Sequence, residues 1–381
     1  MDEPSIELEP FTYNGRDYPA EDQQIVEVPK PLEQHYRQYT HYLVRSRMVE
    51  TLAYLDNLLG HTIPKESNFF AYRAVIHLLK ARLHHRMGNY CEAEEDYVKA
   101  VNLGNACGFP VVQVSAAISL GLLYLAQSHF TLAETTLKAA RSLLENTNGL
   151  FLTKRLKEWR LSRQVNLLTA ESRLFTRRRQ FSWSEARIQE LRKLAERHKD
   201  PSINASLHEA EGLLSYHQGN FGHSIEQYQT ALGHGYELSG AKASVLFQLE
   251  VGLVEALTAL YSIQKETHQL KQLEEVLERL EIFAKDNLLL SSLPSIAIVQ
   301  ATLFLEERFD WQAAMDKLNE TDEFLTQVSL QENSPAIVEV REFRIAVEKE
   351  AVRWRAQARK EPKTDIQAYL RQMKAAVQGL L

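Results

Sequence analysis

Histidine, cysteine and carboxylate side chains are the groups from which a metal or acid–base site would be built, and this sequence offers two places to look for one. The stretch HEAEG at His208 begins like the helical motif that holds zinc between two histidines, but the second histidine position is Gly212. His84 and His85 lie near Cys91 and Glu92, yet adjacent residues on a helix point to different faces and cannot share one ligand set. No glycine-rich phosphate loop occurs, and no serine sits in a nucleophile elbow. These residues predict no enzymatic chemistry, no cofactor and no metal.

Charge is the other chemistry on offer. The chain has 381 residues and a formal net charge of -6, which argues against a protein that coats nucleic acid uniformly. Residues 150–200 run the other way, with fourteen Lys and Arg against six Asp and Glu, a balance of 14 - 6 = +8. Lys154, Arg155, Lys157, Arg160 and Arg163 fall on one predicted helix, and Arg177, Arg178 and Arg179 end it, where cations complement the helix dipole. Together they form a predicted basic docking surface. Trp159 and Trp183 lie between and beyond them, so the segment reads as a solvated face, a dock for an acidic protein segment, or a platform on which bases stack.

The opposite charge gathers at the N-terminus. Residues 1–29 carry Asp2, Glu3, Glu7, Glu9, Asp17, Glu21, Asp22 and Glu27 against Arg16, with prolines at 4, 10, 19 and 29. Residues 1–31 are therefore expected to be an extended or disordered acidic arm. The opening MDEPSIELEP has no apolar run for a secretory signal, and Cys91 and Cys107 suit free thiols in a reducing compartment, so the cytoplasm or nucleus is expected. Leu288–Leu305 is uncharged, but Pro294 fits a first helical turn and the run reads as a buried helix, with no membrane expected.

The elements that must position these groups are helices. Apolar residues recur at steps of three and four, with almost no strand alternation, and short turns such as GNY, SHF, KDPS and GNF interrupt them. Helices are predicted over 32–60, 66–88, 90–103, 110–127, 130–146, 150–179, 183–199, 201–218, 221–233, 239–264, 268–286, 293–308, 311–328, 334–358 and 364–379. The fold class is all-α with about 15 helices, and residues 32–381 are read as a single repeat domain.

Self-similarity explains why this helix-rich chain spends inward positions on small residues. From Gly121 the sequence shows Tyr124, the turn Ser128-His129-Phe130, then Ala133, Leu137 and Ala140. The same offsets recur from Ala81 (His84, Gly88-Asn89-Tyr90, Ala93, Tyr97, Ala100) and from Gly212 (Ser215, Gly219-Asn220-Phe221, Ser224, Tyr228, Ala231). Small residues then sit where paired helices cross closely, and the bulky ones plug the groove between neighbouring pairs.

This pattern, in KARLHHRMGNYCEAEEDYVKA, LGLLYLAQSHFTLAETTLKAA and EGLLSYHQGNFGHSIEQYQTA, resembles the tetratricopeptide repeat. The clear units lie near 74–103, 114–146 and 205–233, with degenerate pairs elsewhere, and their spacing exceeds the family's usual period of roughly 34 residues. The resemblance implies a right-handed α-solenoid superhelix of antiparallel helix pairs, whose first helices line a concave groove for a peptide or a partner's helix. It carries over the groove positions Arg82, His85 and Arg86, then Ile118, Leu122 and Leu125, then Glu209, Leu213, Tyr216 and His217. The basic clamp by which some members hold an acidic C-terminal tail is absent, since Leu78, Arg82 and Ser119 stand at its positions. The expected function is a non-catalytic adaptor or assembly subunit that binds one or more proteins through an acidic or amphipathic segment. A nucleic-acid-associated repeat protein using the basic helices is the alternative.

Overall fold

The computed structural model describes residues 48–62, 65, 69–147, 154–237, 243–286, 290–308, 310–328 and 335–360. The expected arm at 1–31, the start of the expected helix 32–60 and the expected helix 364–379 lie outside them. Among the described residues the fold is all-helical, a helical solenoid without strands. Its fourteen α-helices are α1 (Met48–Asn57), α2 (Phe70–Met87), α3 (Tyr90–Ala106), α4 (Pro110–Ala126), α5 (Phe130–Asn146), α6 (Lys154–Arg177), α7 (Phe181–His198), α8 (Pro201–His217), α9 (Phe221–Glu237), α10 (Ala243–Gln264), α11 (Thr267–Asp286), α12 (Leu293–Glu307), α13 (Trp311–Val328) and α14 (Pro335–Lys360). Two compact units form, one from residues 48–85 and 90–270, the other from 86–89 and 271–360.

The turns inside the pairs are built alike. The residue seven places after each small origin takes a left-handed conformation: Gly88 at φ 80°, Ser128 at 60° and Gly219 at 82°. The next amide then caps the ending helix, His129 N donating to Tyr124 O and Asn220 N to Ser215 O, both at 2.8 Å. Arg179 at φ 57° and the bond from Gln180 N to Phe175 O at 2.8 Å repeat this geometry between α6 and α7. A fourth unit therefore starts at Ser172, with Ser184 where the other units have Ala93, Ala133 and Ser224. Sequence comparison misses it because serines replace glycine and alanine. Ser224 Oγ donates to Gly212 O at 2.8 Å and Ser184 Oγ to Ser172 O at 3.2 Å, so the hydroxyl pins the helix crossing directly.

The small origins do what the repeat requires. A Cβ at Gly121 would meet Leu137 Cδ2 at 2.6 Å, and one at Gly212 would meet the Tyr228 ring at 3.1 Å. The other side of that ring presses on Gly252, where a Cβ would overlap Cζ and Cε1. Tyr228 on α9 is thus clamped between α8 and α10 by two glycines. Helices α3 and α9 run past their expected ends at 103 and 233, because Gly104 and Gly235 serve close approaches, with Gln113 Cγ 2.9 Å and Leu246 Cδ2 2.7 Å from where their Cβ atoms would be, and do not stop the helices.

Local signals mark several starts. Asp200 caps α8 by accepting from Ser202 N at 2.8 Å, and Pro201 fills the first turn where its missing N–H costs nothing. In the second unit the uncharged run enters through a 3₁₀ turn (Leu290–Ser292) into α12 with Pro294 in its first turn, and Leu293, Ile296, Ala301 and Leu305 are buried. By length and composition one described helix, Leu246–Gln264, is apolar enough to cross a membrane, and half of that window is buried inside the protein.

Candidate functional site

Arg173 shows how first helices are joined in the first unit. It projects from α6, pairs with the Glu209 carboxylate on α8 and donates to Gln248 Oε1 on α10 at 2.6 Å. Packed helices stand about 8–10 Å apart, and the extended Arg173 and Gln248 side chains together span from α6 to α10 past α8. Arg173 thus ties three first helices along one face, the face that a solenoid of such pairs turns inward.

Polar groups of α6, α8 and α10 act on one another along that face. Arg177 Nη1 donates to Leu125 O at 3.1 Å, tying α6 to the end of α4. Glu255 on α10 is exposed as a residue, but loss of water around its carboxyl raises it above the usual carboxylate range, against the pull of Arg177 and Arg173. Burial and the Glu255 charge also raise the Tyr216 hydroxyl. Burial, then Arg177 and Arg179, lowers the His217 imidazole, so it is held neutral beside the Tyr216 ring, 5.3 Å away and edge-on. Among the described residues, no hydrogen bond engages the Glu255 carboxyl or the Tyr216 and Tyr228 hydroxyls.

A second cationic point lies toward the N-terminal end of the unit. Arg163 on α6 is lowered to about 10, by burial first and then by the charge of Arg82 on α2. Its Nε is buried without a partner, and its one hydrogen bond is a 3.3 Å contact with Ser162 Oγ. Neither arginine meets a carboxylate among the described residues. The Arg82 charge thus adds to the cost of holding Arg163 charged in a half-buried place, which an anion would relieve.

The other expected groove residues divide. Leu122, Leu213, Tyr216, His217 and Arg82 remain partly open. Ile118 and Leu125 are 2% and 3% exposed and belong to the core, because α4 is covered by α3, α5 and α6 and keeps little free surface. Glu209 is buried and pinned by Arg173. His85 faces the second helix of its own pair, edge-on to Tyr90 and Tyr97 at 5.9 and 6.3 Å, and burial lowers it to about 4, leaving it uncharged. Arg86 is half-buried and groups with the second unit.

The expected basic surface is likewise not a single patch. Lys157 is exposed and Arg160 half-buried, while the side chains of Lys154 and Arg155 lie outside the described ones. Arg178 is spent on Glu134 of α5, Arg192 on Glu211 at 2.5 Å and Arg173 on Glu209. All three acids lie outside residues 150–200, while Glu171 inside is paired with Arg141 outside, so the local +8 falls to 8 - 3 + 1 = +6. Arg177 and Arg179 are exposed at the α6 turn and act on His217. Trp183 stays 59% exposed beside Phe175, their rings 5.9 Å apart.

The histidines that looked available for chemistry have partners. His208 Nδ1 lies 2.7 Å from Gln227 Oε1 and 3.3 Å from Glu211. His84 lies 3.9 Å from Asp96, which His77 Nδ1 already holds at 2.7 Å. Among the described residues no three His, Cys, Asp or Glu side chains are placed to hold a metal ion.

Sequence reasoning missed Arg173, Gln248, Tyr228 and Glu255 as members of this face. The available signal was Gly252, which follows Gly212 by the same 40 residues that separate Ala81 from Gly121. It marks α10 as a further first helix with Glu255 one turn on.

Fold and face together define an all-helical repeat protein with a polar concave surface. No protein-family model matches the chain, and no curated protein does. Among solved structures it is similar to BtubC (BKLC) from P. vanneervenii, a crystal structure, at 18% identity over 64% of this chain and 90% of that one, with a TM-score of 0.39.

Proposed function

We propose that this chain is a non-catalytic interaction subunit of the tetratricopeptide-repeat kind, whose concave face in the first unit takes an acidic or amphipathic segment of another protein. The observation that carries this reading is the Arg82–Arg163 pair, two half-buried cations that meet no carboxylate among the described residues. Leu122 and Tyr216, partly open on first helices α4 and α8, supply apolar and aromatic anchors of the kind that dominate peptide affinity. The unspent hydroxyl of Tyr216 and the Glu255 carboxyl add a donor and an acceptor for a peptide backbone. Spending Arg173, Arg178 and Arg192 on internal acids weakens the alternative of a nucleic-acid platform, which needs several cations free for phosphates.

The test is fluorescence anisotropy with a labelled glutamate-rich peptide carrying leucine and, separately, with random-sequence RNA and DNA pools, across a salt series. The peptide is expected to bind with a shallow salt dependence, and Arg82→Glu with Arg163→Glu should weaken it about tenfold, or about 1.4 kcal/mol. Nucleic-acid binding at physiological salt with a steep slope, lost on reversal of Arg177 and Arg179, would replace this reading with the other. Peptide binding untouched by the double reversal would overturn the site.

A further inference from the structure

Arg82 and Arg163 have a third arginine near them. Arg160 stands three residues before Arg163 on α6, so the two are neighbours on one face of that helix. All three residues are half-buried. The Nε atoms of Arg160 and Arg163 are both buried without a partner, and neither Arg82 nor Arg160 makes a hydrogen bond or ion pair among the described residues. Glu158, the acid next to Arg160 in sequence, is exposed and lies two residues away, on a different face of the helix. The other half-buried arginines described on α5, α6 and α7 behave differently. Arg141 and Arg187 meet Glu171, Arg173 meets Glu209, and Arg192 meets Glu211. A cation taken partly out of water without a counter-charge costs stability, so packing alone does not account for Arg82, Arg160 and Arg163.

The number of cations points to the chemistry of the missing anion. Within this chain one carboxylate, Glu171, serves two guanidiniums, Arg141 and Arg187. Three guanidiniums call for more charge and more acceptor atoms. A phosphate monoester carries a charge of about -1.5 to -2 and three acceptor oxygens, and its geometry suits the planar guanidinium fork. We propose that Arg82, Arg160 and Arg163 seat the phosphate of a phosphoserine or phosphothreonine in the segment taken by the concave face, an assignment that rests on the reading of that face as a peptide groove. A phosphorylated protein fits better than a nucleic acid. A strand needs a row of free cations for successive phosphates, and Arg173, Arg178 and Arg192 are already spent on acids.

The experiment is fluorescence anisotropy on the full chain at physiological salt. The probe is a labelled peptide containing leucine, made in serine, glutamate and phosphoserine forms that differ at a single position, with that position moved along the peptide. At the best position the phosphoserine form is expected to bind about tenfold tighter than the glutamate form. Arg160→Ala should reduce that ratio to about twofold while changing binding of the glutamate form by less than about twofold. Arg163→Lys keeps the charge but loses the fork, and should also lower the ratio. Circular dichroism checks that both variants are folded. A phosphoserine form that binds no tighter than the glutamate form at any position would overturn the phosphate seat and leave the groove reading standing. If no form binds, the groove reading fails and the seat with it. A preference for phosphoserine that survives both Arg160→Ala and Arg163→Lys would place the phosphate elsewhere and overturn the assignment. Random-sequence RNA that displaces the phosphopeptide at physiological salt would assign the cluster to nucleic acid and overturn the phosphopeptide.

Discussion

Gly252→Ala tests the repeat register at the point where it is tightest. Tyr228 is 3% exposed, and its ring is held on one side by Gly212, whose absent Cβ would lie 3.1 Å away, and on the other by Gly252. An alanine methyl at 252 would fall inside the ring's atoms, and an aromatic ring pressed against a second helix cannot yield by bending its tip. Overpacking of this kind costs about 1–3 kcal/mol, and the rigid ring places the change near the upper end. Alanine returns about 0.8–1 kcal/mol of helix propensity over glycine. The net expectation is a loss of about 1–2 kcal/mol, read as a lowered urea midpoint at unchanged slope. In a Tyr228→Leu background the collision is removed, so the same Gly252→Ala change should become neutral or stabilising. The coupling between the two sites should reach about 2 kcal/mol. Gly252→Ala that stabilises the natural chain, or that costs the same in both backgrounds, would refute the clamp and with it the assignment of α10 as a repeat's first helix.

Replacing Arg173 by Met should destabilise by about 3 kcal/mol, because it leaves the Glu209 carboxylate, with a side chain 11% exposed, without its cation. Adding Glu209→Gln to that variant should recover part of the loss, which denaturant melts of the four proteins would show. In the second unit, burial pushes the Glu281 carboxyl up, but donors on Lys285, Gln300 and Lys317 outweigh it and hold the group below its ordinary 4.5. A depressed carboxylate stabilises the fold above its unfolded pKa and loses that contribution as pH falls through the folded value. Glu281→Gln should therefore be less stable than the natural chain at pH 7 and lose less stability on acidification below about pH 4.5. Urea midpoints at several pH values check this, and parallel curves for the two proteins would refute it.

The sequence by itself determined the helices, their turns and the positions of three helix crossings. Those are local properties: periodicity selects α-helix, Pro201 and Pro294 mark first turns, and the αL turn with an aromatic after it recurs at fixed offsets. Even the unit it did not reveal, Ser172 with Ser184, follows the same backbone geometry; its small hydroxyls reach the facing carbonyl, as Ser224 also does. Tertiary structure alone decided which polar groups are available. Arg178 was expected in the basic surface and Arg192 counts toward the local positive balance, but their partners Glu134 and Glu211 lie 44 and 19 residues away in sequence and become neighbours only when the pairs stack. His85 and Arg82 sit on one helix three residues apart, yet His85 turns to its partner helix while the charge of Arg82 acts on Arg163 of α6. Curvature sets that difference: whether first helices form a concave face depends on the small rotation between successive pairs, which summed side-chain volumes at the crossings fix and no single stretch of residues displays.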